Sequence, residues 1–189
     1  EVGCGVYQAM VEGTISKLES GELTETTGDG DWSPQINLGV PVMIPESYIP
    51  DLDVRLGLYR RLSNLASKVE MEGFAAELID RFGPLPKEVN TLMLVVRIKA
   101  MCKRAQISRM DAGPKGATVQ FHLDKFPNPA GLVDFIGAER GAAKINGNKV
   151  VVRRDWTNEA EKIKGAFAIA RDLAEKVVAG KKAEKKKGA

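Results

Sequence analysis

Apolar side chains recur along this chain with two periods, and the switch between them divides it. Val6, Met10, Ile15 and Leu18 recur near the 3.6-residue period with Lys17 and Glu19 beside them, which predicts a helix over 6–19. That helix reads as the end of a larger preceding domain. The next stretch, Gly21 to Ser33, holds Gly, Thr, Asp and Glu with almost no apolar content, as a flexible linker does. Residues 1–33 are therefore expected to be a helix plus linker. Over 34–50, an extended connector, Ile36, Leu38, Val40, Val42 and Ile44 alternate as in a strand; Pro41 confines that strand to a sheet edge or interrupts it, and Pro45 and Pro50 close the segment.

A compact domain is expected over 51–180. Asp51 or Asp53 can cap a helix whose stripe is Leu52, Leu56, Tyr59 and Leu62, with Arg55, Arg60 and Arg61 mostly off it. A second helix is predicted over 68–82, burying Met71, Phe74, Leu78 and Phe82. Gly83 supplies a left-handed stop and Pro84 prevents continuation. Pro86 fits the first turn of a third helix reaching about Ala105. Its Val89, Leu92, Met93, Val96, Ile98 and Ala100 are too apolar for exposure on most sides, so it is expected to be central. The period then shortens. Ile107–Asp111 and Thr118–Leu123 read as strands around the turn Gly113-Pro114-Lys115-Gly116, and Asn128-Pro129 opens a helix carrying Leu132, Val133, Phe135 and Ile136. Asn146-Gly147 predicts a hairpin between 143–145 and 150–152. Thr157 or Asn158 then caps a last helix to about Val178, with Ile163, Phe167, Ala170 and Val177 inward. The fold class is α+β: N-terminal helices, a small, mainly antiparallel sheet and a C-terminal helix, without the repeated βαβ units of a parallel nucleotide-binding sheet.

Charge changes this picture little. Of the net +3, the lysine run 181–187 carries +4, so the rest is close to neutral and 181–189 reads as a disordered, lysine-rich tail. With 43% hydrophobic residues the chain can bury one good core, or one core plus an appended piece. No apolar run approaches the ~18 residues of a membrane span and no signal peptide opens the chain, so a cytoplasmic location without membrane contact is expected. Cys4 and Cys102 are too isolated for a zinc knuckle or redox pair and are expected to be unpaired thiols. His122, the single histidine, sits in an alternating apolar stretch without partners for metal or acid/base work, and reads as structural.

Catalytic signatures are missing. There is no phosphate loop and no nucleophile elbow, and Gly113-Pro114-Lys115-Gly116 lacks the helix start that would make it an anion cradle. The one awkward feature is a pair of carboxylates. Glu77 and Asp80 lie at i and i+3 on one helix face, about 5–6 Å apart at Cβ, so their charges repel. Asp80 also stands in the last turn, where the helix dipole is negative, at a cost of about 0.3–1 kcal/mol. Two readings stay open. Either this is a solvated face on which Arg81 or an earlier lysine relieves the repulsion, or the pair meets arginines or lysines on another domain, where charge complementarity sets register and partner.

Pro34-Gln35-Ile36-Asn37-Leu38, Ile49-Pro50-Asp51 with Arg55-Leu56 and Tyr59-Arg60-Arg61, the run Glu77 to Gly83, Pro86 and the Asn128-Pro129 helix start together resemble the C-terminal part of the bacterial transcription-repair coupling factor family. The resemblance spans about 1–178 and leaves out the 21–33 linker and the lysine tail. It implies a parent that is an ATP-dependent DNA translocase, using ATP and Mg2+ through motifs upstream of this chain, displacing stalled RNA polymerase and recruiting UvrA in excision repair. It implies that the helix within residues 1–33 ends the second translocase lobe, and that 51–180 is a noncatalytic regulatory domain without a cofactor of its own. In the family that domain folds back on the N-terminal UvrB-like domain and masks its UvrA-binding surface. Glu77 and Asp80 match the family's docking positions. The alternative is a direct nucleic-acid-binding module using Arg60, Arg61, Lys99, Lys103, Arg104, Arg153, Arg154 and the tail; no aromatic side chains interleave with those charges for stacking.

Overall fold

The computed structural model describes residues 32–65 and 67–187. The helix expected over 6–19, most of the linker and Cys4 lie outside them. The α+β order is observed: three helices, a five-stranded mixed but mostly antiparallel sheet with a helix inserted in it, and a long C-terminal helix. Among the described residues no helix is long and apolar enough to cross a membrane.

Within the described residues the chain forms two compact units, one over 41–97 and one from 32–40 with 98–187. Residues 34–50 and residues 51–180 each contribute to both units. Pro41 marks that division. β1 is only Gln35–Asn37, not the longer alternating strand expected to Ile44. The Asn37 side chain accepts from the Gly39 N–H at 3.1 Å, and Gly39 turns the chain at φ +61°, which any L side chain there would resist.

In the first unit Asp51 caps α1 (Leu52–Ser63), its carboxylate accepting from the Val54 N–H at 3.0 Å. α2 (Lys68–Phe82) has the expected bounds, set at its start by a reciprocal capping box between Ser67 and Glu70. At its end Gly83, at φ +91°, donates to Ile79 O. Pro86 stands just before α3 (Lys87–Arg104), its carbonyl accepting from Asn90. Ile44, Ile49, Leu58, Tyr59, Leu62, Met71, Phe74, Leu78, Val89 and Leu92 form a continuous apolar core. One expectation fails here, since Phe82 is only half-buried; Leu94 of α3 is exposed.

Arg55 is the larger correction. It was expected off the α1 stripe and is instead buried with Leu58, its guanidinium donating to Ile49 O at 2.6 Å and Pro50 O at 3.1 Å. Those carbonyls belong to the turn that enters α1; Ile49 is buried, so the cation satisfies its carbonyl at the helix entrance and also reaches that of the exposed Pro50.

α3 begins in the first unit and ends in the second. There β2 (Ile107–Gly113) pairs parallel with β1 and antiparallel with β3 (Gly116–Phe121); β5 (Lys149–Arg153) and then β4 (Ala143–Asn146) complete the order β1-β2-β3-β5-β4. β3 stops at Phe121 rather than Leu123, because His122–Asp124 form a 3-10 turn with Leu123 and Asp124 at positive φ. Asp124 accepts from Gln120 and Asn148 and holds the turn. α4 (Pro129–Ala138) has Asn128 as its cap, with the predicted Pro at its start. It packs against β4 and against α5 (Glu159–Lys187), which also meets β2. Ala117, Val119, Phe121, Val150 and Val152 are buried with Ile163, Ile169, Leu173 and Val177 of α5, whereas Phe167 is half-buried.

Two further expectations are corrected. The hairpin loop is Gly147-Asn148, one residue later than the Asn146-Gly147 signal, since Asn146 pairs with Lys149 and the positive φ falls on Gly147 at the first central position. The lysine run is helical to Lys187 instead of a disordered tail. Lys, Ala and Glu are strong helix formers, and cations in a last turn complement the dipole.

Candidate functional site

The predicted carboxylates stand on the last two turns of α2. Glu77 is half-buried and Asp80 exposed. Three features fix this end of the helix. Leu78, between the two acids, is fully buried in the first unit's core. The Tyr48 hydroxyl lies 2.8 Å from Gly83 O and 3.1 Å from Leu78 O, sharing its proton between carbonyls that the helix end leaves over. Its ring meets Phe82 edge-on at 6.0 Å. Helix termination is therefore bonded from outside the helix, by a residue the sequence reading assigned only to the connector.

Electrostatically the two acids differ. Arg61, from the last turn of α1, grips Glu77 with both terminal nitrogens, at 2.9 and 2.5 Å, and Arg81 adds a contact of 3.2 Å from one turn on. The Arg61 guanidinium lies 5.4 Å from the Phe74 ring centre and Arg81 lies 4.8 Å from Phe82, so apolar rings orient both cations. Asp80 has no hydrogen-bond or ion-pair partner among the described residues. It stands uncompensated at the negative end of the dipole, beside Ile79, which is 49% exposed. Arg81 thus relieves Glu77, as one of the two sequence readings had it, whereas Asp80 has no such partner among the described residues. The Arg61 contact was missed: its signal, an arginine in the last turn of α1, pairs with α2 only once the helices are packed.

The hydrogen bonds from Arg61, then those from Arg81 and the attraction of both cations, bring the Glu77 carboxyl from the usual 4.5 down to about 2. A depressed folded value stabilises the fold fully above the unfolded value and loses that contribution as pH falls through the folded one. Acid titration of the urea midpoint should therefore show a component between about pH 4.5 and 2 that is absent from Glu77→Gln. Identical acid limbs in both proteins would show that the pair contributes nothing to stability, as exposed pairs can.

The cations of the nucleic-acid alternative come from both units. Arg60 and Arg61 belong to the first unit and the others to the second. Arg61 is committed to Glu77, and Arg154 binds Glu139 at 2.8 Å. Lys103 donates to Trp32 O and lies 4.1 Å from the Trp32 ring centre, whose indole stacks on His122 at 4.3 Å. Burial lowers the affinity of Lys99 for its proton. His122 is thus placed in a ring stack, and Cys102 is a buried, unpaired thiol whose ionisation burial opposes.

Comparison with known proteins adds three observations. The model of the TRCF domain matches residues 38–132. The transcription-repair-coupling factor of Rickettsia conorii is 40% identical over 152 residues, covering 80% of this chain and 13% of that protein; that of Escherichia coli is 25% identical over 179 residues, covering 94% and 16%. The chain thus spans about an eighth of the length of such relatives. The crystal structure of the C-terminal domain of a transcription-repair coupling factor superposes with a TM-score of 0.63 at 19% identity, over 78% of this chain and 95% of that one, and so shares its fold.

Proposed function

Since the chain belongs to the TRCF domain family, the C-terminal region of transcription-repair coupling factors, we propose that it is the noncatalytic regulatory module of its parent and restrains recruitment of the repair machinery. The parent acts as an ATP-dependent DNA translocase in transcription-coupled excision repair, with ATP and Mg2+ held upstream of this chain, and binds RNA polymerase, DNA and UvrA. This module docks on the N-terminal UvrB-like domain through the end of α2 and covers the surface that binds UvrA. Polymerase or DNA opens the closed state by favouring the open one by more than the docking contacts are worth.

The observation that supports this reading is Asp80: an exposed carboxylate at the unfavourable end of a helix dipole, unpaired among the described residues, on a helix end that Leu78 and Tyr48 hold rigid. A local cost without a local benefit fits a contact made with another surface. Glu77 is already neutralised by two arginines, so it contributes the docking face's shape. The internal commitments of Arg61, Lys103 and Arg154 disfavour the nucleic-acid alternative.

Asp80→Lys separates docking from stability because the two effects have opposite signs. In this chain alone the substitution should stabilise the fold by about 0.3–1 kcal/mol, the dipole term changing from unfavourable to favourable. In the full-length parent it should raise UvrA affinity at least about fivefold, since an interdomain charge pair of about 1 kcal/mol or more is replaced by repulsion. A parent whose UvrA affinity is unchanged, while the isolated chain is stabilised, would overturn the docking assignment.

A further inference from the structure

The end of α3 and the middle of α5, both in the second unit, enclose a groove of about 550 Å3 to which α2 contributes no residue. Its floor is apolar, with Met101 from α3 and Ala174 and Val178 from α5; Val178 is 40% exposed. Its rim is cationic. Arg104 and Lys182 have no hydrogen-bond or ion-pair partner among the described residues, and Arg171 touches Asp172 at 3.1 Å. Glu175 is the single acid in the lining. Residues 171, 178 and 182 fall on one side of α5 at helical spacing, so Arg171 and Lys182 flank the valine at the two ends of a strip about 16 Å long. Arg104 stands on the opposite wall.

An exposed valine and a half-buried methionine among cations, two of them unpaired among the described residues, are features that isolated folding does not reward. An apolar floor lowers free energy only when covered, and cations at its ends favour a cover bearing carboxylates. The geometry points to docking of an acidic amphipathic protein segment, with apolar side chains on Met101 and Val178 and carboxylates on Arg104, Arg171 and Lys182. A nucleic-acid backbone fits less well. It has no apolar group for the floor, it would meet Glu175 within the groove, and no aromatic side chain lines the groove to stack a base.

The test uses the 189-residue chain and a fluorescently labelled peptide with two leucines four residues apart among glutamates, read by anisotropy. Arg104→Gln with Lys182→Glu should weaken binding at least tenfold, and Val178→Asp at least fivefold. A peptide of equal charge with serines for the leucines should bind at least fivefold more weakly than the leucine peptide. Lys182→Glu alone, on an exposed stretch of α5, should give a threefold loss and avoids any change at the end of α3. The inference is overturned if the leucine peptide does not bind, if the serine peptide binds equally, if the variants bind like the parent chain, or if random-sequence duplex DNA binds more tightly than the peptide and displaces it.

Discussion

Leu78→Ala should lower the stability of the first unit by about 2–5 kcal/mol, the usual cost of emptying a well-packed leucine site. The side chain is fully buried, among Met71, Phe74 and Val89 in the same core. The loss has two parts: apolar area returned to an imperfectly filled space, and a cavity that only partly collapses, because capped helices hold its walls. Its position makes the effect more than one of stability. Leu78 lies between Glu77 and Asp80, and its carbonyl shares the Tyr48 proton, so loosening it frees the helix end that presents both acids. Denaturant unfolding read with amide hydrogen exchange checks this. Protection should fall in α1, α2 and the first turns of α3, and a loss below 1 kcal/mol would show that the side chain is not packed as described.

Gly116→Ala should be comparably damaging in the second unit, by about 2–5 kcal/mol. Gly116 sits at φ +130°, and a Cβ there would lie 2.0 Å from the Val152 carbonyl oxygen and 2.8 Å from the Arg154 nitrogen. Both obstacles are backbone atoms, one in β5 and one in the residue that follows it, so no side-chain rotation relieves the clash. Strain at positive φ contributes about 1–2 kcal/mol and forced displacement about 1–3. The residue also pairs with Gly113 across the β2–β3 turn and with Arg153 on β5, so the shift propagates to both neighbours in the sheet. Hydrogen exchange should show losses concentrated at the Gly116 end of β3 and β5. A variant as stable as the parent chain would refute the close approach.

The elements that sequence alone made legible are those with local signals. α2 was predictable at both ends because a hydrophobic stripe ends at a glycine whose backbone reverses, with a proline following. The Asn128-Pro129 start and the Gly147 hairpin are likewise short-range chemistry. What escaped was decided at longer range. Arg55 reads as a surface residue in a binary pattern, yet two carbonyls five and six residues away recruit it inward. The strand ended at Asn37 because an Asn side chain can cap its own turn, a competition that apolar alternation does not register. Glu77 and Asp80 could be singled out by their spacing, but their difference could not. It arises from Arg61, sixteen residues before Glu77 and on another helix.

The order in which the chain contributes to its two units has a consequence for synthesis. Gln35 pairs with Arg109, so β1 emerges from the ribosome roughly 70 residues before its neighbour in the sheet, with residues 41–97 of the first unit in between. Until then β1 is a short strand without its partner, and joining it to β2 means closing a long loop. Structure formed within residues 41–97 before β2 is made shortens the effective loop and lowers the entropy lost on closure, so this region is expected to favour pairing of the sheet that follows it.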